Sequence, residues 1–130
     1  MGDYTHLNLK EVDDQAPNLG LAPAAELRMA RVALGLEHSG ISYARLAPGF
    51  RLPWGHSHKQ QEEIYVLVSG RARIKLDDEV RELEPWDAVR IHKDTMRSVE
   101  AGDEGAELLM VGAPNTGPGD GNNVQGWWSD

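Results

Sequence analysis

The sequence predicts one small all-β domain, a sandwich or barrel of short strands. Three observations carry that expectation. The chain has 130 residues, the length of one ordinary domain. Its middle is a succession of apolar or alternating runs about five residues long, the length of a strand. Those runs are separated by turn-forming groups such as Pro48-Gly49, Asp77-Asp78 and Glu84-Pro85-Trp86-Asp87.

Along the chain, residues 1–25 read as an N-terminal arm. Tyr4 to Leu9 could form a short strand, and Pro17, Gly20 and Pro23 leave the rest extended. Residues 26–112 read as the folded body. Its opening stretch, Pro23 to Leu34, is ambiguous: an early Pro, abundant Ala, and Leu27, Ala30 and Leu34 on one face favour a helix by local rules. The strand candidates then follow in order: Ile41–Leu46, Ile64–Val68, Ala72–Leu76, Val80–Leu83, Ala88–Ile91, Arg97–Val99 and Ala106–Val111. Residues 113–130 are rich in Gly, Pro and Asn, with too few apolar side chains to pack, but they end in Trp127-Trp128. Two adjacent tryptophans would expose a large apolar area in water, so the pair is expected to dock.

Composition excludes several classes. The absence of cysteine rules out disulfides, zinc thiolates and cysteine nucleophiles, and suits a reducing compartment. A net charge of −8 without a basic stripe argues against nucleic acid. There is no apolar stretch long enough to span a bilayer and no basic-then-apolar leader at Met1 to His6. The expectation is a soluble cytoplasmic protein.

The chemistry concentrates between Pro53 and Val66. His56 and His58 are two residues apart, so on an extended backbone they point to the same side. Glu63 follows at the start of an apolar strand. Two imidazoles and a carboxylate form a facial set that suits first-row divalent metals and leaves positions open for water or substrate. Gly55 would let the backbone bend close to such a centre. The competing reading makes these surface residues beside an acidic patch.

These residues resemble the first motif of the cupin family: a His-X-His pair, a glutamate three or four residues on, then a glycine after six more. His56, His58, Glu63 and Gly70 match it, while Gly49 lies one residue too far upstream for the motif's first glycine. Glu62 would fit the histidine spacing but misses the glycine. The second motif, expected from Trp86 onward, is degraded. Trp86 replaces its first Gly, His92 its Pro, Asp94 its second Gly, Arg97 its His and Ala101 its Asn. The resemblance covers roughly residues 26–112 and implies a double-stranded β-helix, the jelly-roll barrel. It also implies that residues 24–36 are an extended strand leading to a turn at His38-Ser39-Gly40, and that the protein is a homodimer in which residues 1–25 could be exchanged between partners.

In the family the last His joins the two His and the Glu around one metal. Arg97 cannot ligate, because its guanidinium stays protonated. Three alternatives follow. Arg97 pairs with Glu63 in a metal-free polar core; or it sits at the cavity rim and holds an anion beside a three-ligand metal; or it turns outward and His92 or water fills its place. Trp54, before the pair, could floor a pocket. Tyr65 shares the face of Glu63 and could line the cavity.

The resemblance thus implies a cupin-domain protein binding a divalent metal (Fe, Mn, Ni or Zn) through His56, His58 and Glu63, with a small polar or anionic molecule in the barrel. Dioxygenase, decarboxylase and isomerase chemistries are all open to such a site. The alternative is a metal-free binding or sensing module in which Arg97 anchors the ligand. Trp54, Tyr65 and Arg97 are the candidate ligand-binding residues.

Overall fold

A computed structural model describes residues 3–130; Met1 and Gly2, the start of the expected arm, lie outside the described residues. Eight strands curl into one antiparallel sheet: β1 (Ala25–Met29), β2 (Gly40–Leu46), β3 (Trp54–His58), β4 (Glu62–Leu76), β5 (Glu79–Leu83), β6 (Ala88–Ile91), β7 (Arg97–Ala113) and β8 (Gly121–Gln125). The order β1-β2-β7-β3-β8 runs along one path, and β4 pairs with β5, β6 and β7. The expected all-β barrel is what forms.

Two expected pairs of strands are single strands. Ile64–Val68 and Ala72–Leu76 are halves of β4; Arg97–Val99 and Ala106–Val111 are halves of β7. Both strands bend at the same level, where the β4–β7 register shifts between Leu67 and Ser69 and between Gly70 and Ala72. Gly70 has φ +82°, and a Cβ there would lie 2.0 Å from the Gly105 carbonyl oxygen, so only glycine lets the two strands bend together. The bend wraps the sheet around a core that includes Leu46, Tyr65, Leu67, Ile74, Ile91 and Leu108.

The ambiguous stretch is neither all strand nor all helix. It is β1 followed by a single helical turn, α1 (Arg31–Leu34). Gly35, at φ +72°, caps that turn in the left-handed conformation and donates to the Val32 carbonyl, and the Leu36 N–H returns to Arg31. The expectation of one continuous strand over 24–36 is corrected: pairing with β2 holds Ala25 to Met29, and the glycine cap ends the chain's extended run.

The expected strand at Tyr4–Leu9 does not form; a 3-10 turn begins at Leu9 instead, with the Asn8 side chain accepting from the Lys10 N–H. Nor is the rest of the segment extended. Asp14 accepts from the Ala16 and Leu27 N–H groups, Gln15 N–H donates to the Leu27 carbonyl, and Ala16 and Leu21 are buried in the core. The segment folds back on β1 of its own chain.

The Gly/Pro/Asn-rich C-terminal stretch also packs, against expectation, because backbone pairing and one buried carboxylate substitute for apolar side chains. β8 pairs with β3 over its whole length, Asp120 is buried, and Trp128 is only 5% exposed.

Candidate metal centre

β3 projects His56 and His58 from the same face, as their spacing requires. Glu63, near the start of β4, is held between Ile91 of β6 and Gly112 of β7. The three side chains converge: His58 Nε2 lies 3.2 Å and His56 Nε2 3.5 Å from Glu63 Oε1. The imidazole rings meet edge to face with centroids 5.0 Å apart. His56, His58 and Glu63 therefore lie close enough together to hold a metal ion.

Electrostatics favour an ionised Glu63. Burial alone would push Glu63 up, but the two histidines outweigh it and bring it down to about 2. Burial pushes the His56 imidazole down, with Glu63 opposing and Arg97 assisting. His58 Nε2 and Glu63 Oε1 are buried and have no hydrogen-bond partner among the described residues, although they are near neighbours. Two buried acceptors turned toward one point are costly unless something positive lies between them. Donors on one ion with bonds of about 2.1 Å stand roughly 3 Å apart, close to the spacing here. The residues fit a divalent metal.

Arg97 is directly opposite His56 in the β3–β7 register, and its side chain is wholly buried. It donates to the His56 carbonyl at 3.3 Å and to the His92 carbonyl at 3.2 Å; Nη1 is 3.8 Å from Glu63 Oε1, and Nε has no partner among the described residues. The outward-turned alternative is therefore excluded, and so is a position on an exposed rim. His92 does not replace it: that side chain is exposed, and only its carbonyl serves the site.

Tyr65, two residues beyond Glu63, is buried, and burial together with the Glu63 charge pushes its phenol up. Trp54 is half-buried, packs against the core, and accepts from the Ser98 hydroxyl through its carbonyl. At Gly55 the space of the missing Cβ is taken by the Trp127 ring, which an added Cβ would meet at 2.5 Å. One site residue was not foreseen. Asp120 Oδ2 lies 3.1 Å from His58 Nδ1. In the sequence it sits in Pro118-Gly119-Asp120-Gly121, which reads only as a turn.

The Cupin domain family model matches residues 42–112. The chain belongs to the cupin family. A cupin protein from Bacteroides fragilis superposes with TM-score 0.72 at 26% identity, over 91% of this cupin and 90% of that chain. KdgF from Halomonas sp. superposes with TM-score 0.70 at 19% identity, over 85% and 95%. Oxalate decarboxylase from Bacillus subtilis gives TM-score 0.75 at 21% identity over 96% of this cupin, which spans only 33% of that longer chain. The latter two likenesses concern the fold. No curated protein matches this cupin in sequence. Among the described residues no helix is long and apolar enough to cross a membrane.

Proposed function

We propose that this cupin binds a divalent metal (Fe, Mn, Ni or Zn) through His56, His58 and Glu63 and takes a small polar or anionic molecule into the barrel beside it. The observation that carries the reading is the pair of buried, unpartnered acceptors, His58 Nε2 and Glu63 Oε1, facing one another 3.2 Å apart. A bound metal would supply Lewis-acid polarisation of a ligand oxygen. Within the chain, Tyr65 and Trp54 would shape the space beside the triad, and the Arg97 charge would favour an anionic ligand. Dioxygenase, decarboxylase and isomerase activities are the reaction classes to assay. Residues 26–112 would form the body of the barrel, flanked by residues 1–25 and by residues 113–130, which add β8 to its sheet, in a cytoplasmic homodimer; the absence of cysteine supports the compartment.

Elemental analysis of the purified protein tests the metal. Stoichiometric metal that vanishes in His56→Ala and Glu63→Ala supports the reading. A metal-free preparation that takes up none on titration overturns it. A second reading has its own observation. The buried Arg97 guanidinium, 3.8 Å from Glu63, can balance that carboxylate without any metal. The protein would then be a binding or sensing module, and small carboxylates would bind in an Arg97-dependent way to metal-free protein.

A further inference from the structure

Asp120 lies 62 positions from His58 in sequence, yet it is the most enclosed carboxylate at the site, with 2% of its side chain exposed. Its two oxygens have fixed work. Oδ1 accepts the Gln60 N–H at 2.9 Å, and Oδ2 accepts the Gln61 N–H at 3.1 Å. Oδ2 is also the partner of His58 Nδ1 at 3.1 Å. With backbone donors on both oxygens, the group meets the imidazole as an acceptor, and Nδ1 must carry the hydrogen.

The other ring nitrogen has no such bond. His58 Nε2 comes within 3.2 Å of Glu63 Oε1 but lacks hydrogen-bonding geometry to it. Two carboxylates flank one imidazole, and only Asp120 is aligned to take its proton. His56 has no comparable carboxylate behind its ring among the described residues.

The segment that brings Asp120 is built to hold it there. Its carbonyl accepts the Lys59 N–H at 2.9 Å, and β8 begins on the next residue, with Gly121 registered opposite His58. A slip of one residue would turn the neighbouring side chains to the other face. Beyond β8, Gly126 N–H donates to the Pro53 carbonyl, Trp127 fills the space over Gly55, and Trp128 is buried under Arg51.

We propose that Asp120 is the positioning residue of the centre: delivered by the C-terminal segment, it holds the His58 hydrogen on Nδ1 and keeps the Nε2 lone pair turned toward Glu63 and His56. This rests on reading the triad as a metal site, but the tautomer it requires exists without metal. Carboxylates behind ligating histidines typically contribute about 10–100-fold in metal affinity. In Asp120→Asn, an amide nitrogen at either position would face a backbone N–H, that of Gln61 at Oδ2 or that of Gln60 at Oδ1; placed at Oδ2 it would also donate to Nδ1 and drive the hydrogen to Nε2.

The experiment uses the full chain. Nitrogen-15 NMR of metal-free protein at mildly alkaline pH reads the His58 tautomer, and calorimetric titration with zinc reads affinity. The expected result is Nδ1–H in the wild type, a shift toward Nε2–H in Asp120→Asn, and zinc affinity about 10–100-fold weaker in that variant. An Nε2–H tautomer in the wild type overturns the proposal without any variant, and so does unchanged zinc affinity in a folded Asp120→Asn. Wild type that binds no zinc, or other divalent metal, while showing the Nδ1–H tautomer overturns the metal reading and leaves the positioning role of Asp120 supported.

Discussion

His56 and Arg97 face each other across the β3–β7 ladder, and the Arg97 guanidinium folds back onto the His56 carbonyl. The residue that displaces the family's fourth ligand is therefore tied to the strand that carries the first two. Its charge is met by two carbonyls and, at longer range, by Glu63. Any metal on the triad must share the space with a buried cation.

Replacing Arg97 by His separates these effects. The substitution removes a positive charge beside the centre and supplies an imidazole where the cupin motif has one. Arg97→His is expected to bind divalent metal at least tenfold more tightly than wild type, read by competition with a chelator. It should also be less stable, because charged hydrogen bonds to carbonyls contribute about 1.5–3 kcal/mol each and the His56 and His92 carbonyls would lose theirs. Unchanged metal affinity together with unchanged stability would show that the guanidinium plays neither part.

Acid sensitivity should track Glu107. This carboxylate accepts from the hydroxyls of Ser69 (2.6 Å) and Tyr43, and Lys10 lies 3.3 Å away; these partners hold it down to about 2 from an ordinary 4.5. A depressed folded value means that Glu107 contributes its full stability above about pH 4.5 and loses it progressively as pH falls through about 2. With about a third of the side chain exposed, solvent screens the effect. Glu107→Gln should lower stability at neutral pH and flatten its fall between those limits, as followed by urea unfolding at several pH values. Parallel wild-type and variant curves would refute the assignment.

Much of this was legible in the chain, and the failures have physical causes. His56, His58 and Glu63 could be placed because a two-residue period on a strand and a short reach to the next strand are local geometry. Asp120 could not be, because an aspartate in a Gly- and Pro-rich turn looks the same whether it meets water or an imidazole 62 residues away. The length of β4 and β7 was hidden because Gly70 and Gly105 interrupt the apolar alternation at the bend that the fold needs. Pro23 to Leu34 was helical by local propensity and residues 24–36 strand by family; the strand forms over Ala25 to Met29 and the helical turn over Arg31 to Leu34.

Trp86 carries a cost that its sequence position explains. It stands where the second motif has glycine, and its backbone adopts φ +75°, a glycine-like conformation, while its side chain is 71% exposed. Left-handed backbone costs an L-residue about 1–2 kcal/mol, whereas a glycine weakens the fold by about 0.5–1 kcal/mol through chain entropy. The first effect wins, so Trp86→Gly should raise stability by roughly 0.5 kcal/mol, while Trp86→Ala, still left-handed, should not. Equal midpoints for the two variants in chemical denaturation would show that the left-handed backbone at this position carries no net cost.

The final strand should depend on Trp128. Every residue of β8 is exposed, so its pairing with β3 has little apolar burial behind it. Its anchor lies beyond its end. The Trp128 ring sits under the Arg51 guanidinium at 4.4 Å and near Arg73 at 5.4 Å; Arg51 also donates to the Trp128 carbonyl at 3.0 Å and pairs with Glu100 at 2.9 Å. Removing a buried Trp side chain costs about 3–5 kcal/mol when the whole fold must bear the cavity, but a terminal strand can instead open locally. Trp128→Ala is expected to abolish hydrogen-exchange protection in Asn122 to Val124 while β4 and β7 keep theirs. Because Asp120 precedes that strand, the Gln60 and Gln61 amides that it accepts should lose protection in the same step. Continued protection of β8 in this variant would mean that backbone pairing alone holds the strand.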